Sequence, residues 1–186
     1  MMDVQREYFA DESPLHIPDG RIVLARLRNL VEECRDAHVT IVHVRHEEAP
    51  GAPVFAAGGP LVETMPDVAP RGLEPVVVKH APGSFTGTEL SDVLTQFGVR
   101  RLVIAGFMTH MCCDTTARQA VERGLEVIFL TDGTATRDLA LSGRVVDHRD
   151  VQAATLAAQA DGFSTLADVN SVRAVLADAS WSGDRS

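Results

Sequence analysis

Apolar residues early in the chain recur at helical spacing. From Ile22 onward, Val23, Leu27, Leu30, Val31 and Cys34 form a stripe among Arg and Glu, which predicts a helix. The stripe stops before Val39-Thr-Ile-Val-His-Val44, where β-branched residues predict a strand. Further strands are predicted at Val76 to Lys79, Arg101 to Ala105, Leu125 to Thr131 and, shorter, Phe163 to Leu166. Helical patterns fill the intervals at Thr88 to Phe97, Met111 to Arg123, Val151 to Ala160 and Leu166 to Ala177. Such alternation implies an α/β fold: a three-layer, doubly wound and mainly parallel sheet flanked by helices, with ligands bound at the carboxyl ends of the strands.

The pattern breaks between Ala49 and Pro75, which hold six of the nine prolines and four glycines around isolated Phe55, Leu61, Val62 and Met65. A long irregular segment inside a compact domain is usually functional, so the loop at about 46–75 reads as a lid or pocket wall. The chain reads as one domain over 1–180 with a tail at 181–186, of which Trp181 is the one residue able to dock. No internal repeat is evident.

Composition narrows the function classes. The formal charge is −9 and the pI about 5.2, which disfavours nucleic acid and anionic membranes as partners. No apolar run approaches the roughly 20 residues of a membrane helix, and the amino terminus has no secretory pattern, so a cytoplasmic location is expected. Three cysteines are too few for a disulfide framework and are expected to be reduced.

The chemistry centres on Cys112-Cys113. A predicted strand, the glycine turn Gly106-Phe-Met-Thr-His110 and a helix start lead to this pair, and unpaired N–H groups at a helix start favour thiolate over thiol. Any single cysteine is more often a small hydrophobe, the reading that fits Cys34. Lys79 ends a β-branched strand, and Asp3 lies near the amino terminus; taken separately, a snorkelling lysine and a terminal aspartate carry no information.

Together these positions resemble the isochorismatase-like cysteine hydrolases. Gly106-Phe-Met-Thr109-His-Met-Cys112-Cys113-Asp-Thr-Thr116-Ala-Arg118-Gln-Ala120 resembles the family's nucleophile segment G-x-x-T-x-x-C-V-x-x-T-x-R-x-A. Asp3-Val-Gln5-Arg-Glu-Tyr-Phe9 is similar to its D-x-Q-x-x-x-F, and Lys79-His-Ala-Pro-Gly-Ser-Phe85-Thr-Gly-Thr88-Glu-Leu90 to its K-x(5)-F-x-x-T-x-L. The resemblance runs from Asp3 to about Asp168. It implies Cys112 as nucleophile, Asp3 as general base and Lys79 as the cation beside both. It also implies a cis peptide between Phe107 and Met108, with the backbone N–H groups of Met108 and Cys112 turned to an oxyanion. Cys113 stands where the family has valine and is expected to pack; a redox role for the vicinal pair is the alternative.

The resemblance implies hydrolysis of a C–N bond in a small amide, lactam or ureide through a thioester. The alternatives are vinyl-ether hydrolysis of the isochorismatase type and a catalytically weak or scaffold domain. Phe9, Phe85, Phe107 and Phe55 are the expected substrate contacts. No cofactor is expected, nor a metal: His43-Val-Arg-His46-Glu-Glu lacks the Asp-x-His of the metal-binding nicotinamidases, and two histidines three apart on a strand face opposite ways. The only expected partners are a small-molecule substrate and further copies of the chain, as a homodimer or homotetramer. One departure stands out. The family aspartate follows a central strand of about seven apolar residues, whereas only Met1 and Met2 precede Asp3. Losing that strand would forfeit about ten backbone hydrogen bonds, worth roughly 0.5 to 1.5 kcal/mol each. The sequence therefore predicts an upstream start, or else a loosely held Asp3 on a frayed terminus with little activity.

Overall fold

The computed structural model describes residues 1–177. Trp181, the tail 181–186 and the expected domain limit at 180 lie outside the described residues.

The first helix, α1 (Gly20–Asp36), buries Val23, Leu27, Leu30 and Val31 as their spacing predicts, and Leu24 besides, while Ile22 is exposed. It stops at Ala37. His38 takes a positive φ of 55° and the Val39 N–H returns to the Cys34 carbonyl, so the first residues of the expected strand are spent on closing the helix. Strand β1 (His43–His46) accordingly starts four residues later than predicted. It pairs in parallel with β2 (Val76–Lys79), His46 opposite Lys79. Then follow α2 (Leu90–Gln96), β3 (Arg101–Phe107), a π-helical turn (Thr109–Cys113), α3 (Asp114–Glu122) and β4 (Glu126–Ala135). An antiparallel hairpin, β5 (Leu139–Leu141) and β6 (Arg144–Val146), was not anticipated. After it come α4 (His148–Gly162), β7 (Thr165–Ala167), parallel to β4, and α5 (Val169–Ala177).

Met2 joins the two parts of the sheet. It bridges in parallel to Val44 of β1 and to Gly106 of β3, giving the order β2-β1-Met2-β3-β4-β7. Its backbone bonds are Met2 N–H to Ala105 O (2.7 Å) and Phe107 N–H to Met2 O (2.9 Å); alongside them, Asp3 N–H donates to Val44 O (3.0 Å). The central position of the sheet is thus held by a single bridging residue. Strand side chains alternate between faces. Val103, Ala105, Ile128 and Leu130 pack in one core cluster with α1 and α5, while Leu102, Ile104, Val127 and Phe129 pack in the other with α2, α3 and Leu156 of α4. These are the three expected layers.

The loop after β1 is not a passive surface excursion. Glu48 bridges to Ala56 and Gln5 to Thr64, and Phe55, Val62 and Val68 are buried in the core. Glu7, itself buried, fixes its tip: Oε1 accepts from Ser13 Oγ (2.7 Å) and Oε2 from the Phe55 N–H (3.0 Å).

Candidate active site

Four elements deliver side chains to one point at the carboxyl edge of the sheet. Asp3 follows the Met2 bridge, His46 ends β1, Lys79 ends β2, and Cys112 sits in the π-helical turn after β3. The Phe107–Met108 peptide that enters this turn is cis, as the resemblance implies. Cys112 and Cys113 part company here. Cys113 packs in the core cluster with Ala117, Ala120 and Phe129, whereas Cys112 faces Lys79. Asp3 is fully buried and its backbone is bonded to β1, so it is not on a frayed end.

Lys79 is the hub. Its Nζ lies 2.9 Å from Asp3 Oδ2, 3.2 Å from Cys112 Sγ, 3.1 Å from the Ala81 carbonyl and 3.0 Å from His46 Nδ1. The Asp3 contact is an ion pair out of line for a hydrogen bond, and both carboxylate oxygens have no hydrogen-bond partner although no solvent reaches them. A buried carboxylate with free lone pairs is poised to accept a proton.

Electrostatics fix the resting protonation. Burial pulls the Lys79 ammonium down, but the Asp3 carboxylate and the Cys112 sulfur beside it outweigh this and leave its pKa above the ordinary lysine value. Burial first, and the Asp3 carboxylate second, push the Cys112 thiol up to about 12. Cys112 therefore rests as a thiol, because desolvation and the Asp3 carboxylate together outweigh the attraction of the lysine and of the helix start.

Three of the four expected aromatic contacts come together. Tyr8 packs on Phe55 (ring centroids 5.3 Å apart) and Phe107 (5.7 Å), and Phe9 packs on Phe107 (5.6 Å). Phe85 is elsewhere, in the other core cluster beside α2 and under the Arg123 guanidinium. It contributes packing on the far face. Sequence reading missed Tyr8, a member of this wall, and His46, which it weighed only as a metal ligand. His46 does face away from His43, as alternation requires, since His43 pairs with Glu74 at 2.9 Å. The register that sets His46 opposite Lys79 is the signal that could have found it. Asp3, His46 and Cys112 have ligand atoms within 4.8 Å of one another, a grouping that could hold a metal ion. The Lys79 ammonium touches all three, so the chain's own cation occupies that position.

A family model described as the isochorismatase domain matches residues 1–168. This chain belongs to the isochorismatase family. It is 39% identical over 166 residues to the secreted isochorismatase effector Isc1 of Verticillium dahliae, covering 89% of this chain and 84% of that protein. It is 36% identical over 131 residues to a streptothricin hydrolase of Streptomyces noursei, covering 70% of this chain and 52% of that one. The fold matches the crystal structure of an isochorismatase from Pseudomonas putida KT2440 with a TM-score of 0.85 at 30% identity, over 92% of this chain and 87% of that one. The chain is thus a hydrolase of the isochorismatase family. Among the described residues no helix is long and apolar enough to cross a membrane.

Proposed function

We propose that this isochorismatase-family hydrolase cleaves the C–N bond of a small amide, lactam or ureide by covalent catalysis, with Cys112 as nucleophile, Asp3 as general base and acid, and Lys79 as the fixed cation. The observation that carries this reading is the buried contact of the Lys79 ammonium with both the Cys112 sulfur and the Asp3 carboxylate, whose oxygens are otherwise unpartnered. Relatives named streptothricin hydrolase, nicotinamidase and maleamate amidohydrolase support amide-type chemistry.

Asp3 takes the Cys112 proton and the sulfur attacks the carbonyl carbon. The C–O double bond opens to an oxyanion facing the Met108 and Cys112 N–H groups. The intermediate collapses, the C–N bond breaks, and the leaving nitrogen takes the proton held by Asp3. Asp3 then removes a proton from water, the hydroxide attacks the thioester, and the acid departs as the sulfur recovers the proton. Lys79 stays charged throughout and follows the negative charge between Asp3 and Cys112. Phe9, Phe55 and Phe107, with Tyr8, form the apolar wall for a small substrate.

A cytoplasmic, homodimeric or homotetrameric protein completes the proposal. All three cysteines are unpaired, in keeping with a reducing compartment. Isc1 is secreted, so family membership alone does not set the compartment. The test is ammonia or amine release across a panel of small amides and ureides. Turnover of at least one is expected, abolished by Cys112→Ala; turnover that survives Cys112→Ala would refute the nucleophile.

A further inference from the structure

The hydrogens on Lys79 can be counted. An ammonium has three N–H donors and no lone pair. All three are used, on His46 Nδ1, the Ala81 carbonyl and Cys112 Sγ, while Asp3 Oδ2, the nearest atom, is out of line. His46 Nδ1 must therefore accept. The ring proton then sits on Nε2, where it donates to Glu48 Oε1 at 2.8 Å. A protonated imidazole would set two cations 3.0 Å apart in a nearly closed site.

The histidine is held for this task from several sides. Gln5, fully buried, accepts from the His46 N–H (2.9 Å) and donates to both the His46 carbonyl (2.8 Å) and the Val62 carbonyl (2.7 Å). The ring lies against Phe55, centroids 5.1 Å apart, and its side chain is 12% exposed. Glu48, at the start of the loop, is the group that faces water.

We propose that His46 is a positioning residue of this site: a neutral imidazole, its tautomer set by Glu48, whose Nδ1 lone pair takes one Lys79 N–H so that another stays aligned on Cys112 and none turns to the neighbouring Asp3 oxygen. The inference rests on the hydrolytic reading above. Without the Nδ1 acceptor, the freed N–H has one nearby atom to turn to, the Asp3 oxygen. A hydrogen-bonded Asp3 is a weaker base, and Cys112 loses an aligned donor as its charge develops. Proton transfer slows while the aromatic wall is untouched, so kcat falls and KM does not.

Two measurements test this. In protein labelled with 15N-histidine at neutral pH, His46 should appear as the neutral Nε2–H tautomer, and Lys79→Met should move its Nδ1 resonance toward that of an acceptor without a donor. With the amide that gives fastest ammonia release, His46→Ala should lower kcat about ten- to a hundredfold with KM within about twofold. His46→Asn, whose amide oxygen stands near the Nδ1 position, should recover part of the loss. A His46 protonated on Nδ1, or wild-type kcat in His46→Ala while Cys112→Ala is dead, would overturn the proposal and leave the hydrolytic reading intact. Turnover in Cys112→Ala would bring down both. Should His46→Ala fail to fold, the asparagine variant and the spectra decide.

Discussion

At the scale of single residues, the site depends on where one proton rests. Burial and the Asp3 carboxylate push the Cys112 thiol up to about 12, so on the proposed route Asp3 takes its proton before the sulfur attacks. Asp3→Asn separates the two roles. Turnover should fall about 10²- to 10⁴-fold for loss of the base. Removing the carboxylate also removes a charge that raises the thiol pKa and leaves Lys79, which lowers it, so iodoacetamide at fixed pH should alkylate Cys112 faster than in the wild type. Slower alkylation, mapped by peptide mass, would contradict this balance. Cys113→Val, an apolar replacement in a packed core, should spare turnover and shift stability by about 1 kcal/mol. Asp3, Lys79 and Cys112 were legible because each lies in a spaced motif. His46 was not, because its role comes from the strand beside it and no local pattern records that neighbour.

At the scale of elements, the loop after β1 shows what burial does to a segment that reads as punctuation. Glu7 caps the Phe55 N–H in the core, so Glu7→Ala should leave that donor unpaired and cost about 1 to 3 kcal/mol, read as a lowered Tm. The loop's far end is tied to α1 and β1 through Glu74, which Arg35 contacts at 2.7 Å and His43 at 2.9 Å. Burial, with the terminal ammonium, lowers the His43 pKa to about 4, and the Arg35 bond lowers Glu74 to about 2. The signs agree. Below the ordinary histidine value the unfolded chain takes up a proton that buried His43 refuses, so stability falls between about pH 6.5 and 4. Glu74 adds a further loss below about pH 4.5. The histidine part is worth about 3 kcal/mol, and His43→Gln should flatten that limb of a urea-melt series against pH. Helices and parallel strands were read within a few residues. The β5–β6 hairpin was missed because its arms have three residues each, and its signal is confined to Ser142 and Gly143, both at positive φ.

At the scale of the whole molecule, the two parts of the sheet meet through Met2 and its neighbours Met1 and Asp3, and Gly106 makes the approach to Met2 possible. Its φ is 122°, and a Cβ there would overlap the Met2 carbonyl oxygen. Gly106→Ala should separate β3 from Met2, displace Asp3 and cost both fold and activity, visible as a broadened or absent cooperative melt. A normal melt with full turnover would show that the bridge is dispensable. The sequence expectation of a frayed Asp3 rested on strand length, and the structure seats Asp3 through this bridge and the Lys79 ion pair instead. Fold class was legible throughout because α/β alternation is a repeated signal, whereas the bridge rests on one residue. The proposed hydrolysis turns on a covalent bond to Cys112. Acid-quenching the enzyme during turnover of its best amide and mapping peptides by mass tests it most directly. An acyl adduct on Cys112 and none on Cys113 or Cys34 is the predicted result; turnover with no adduct that persists in Cys112→Ala would contradict it.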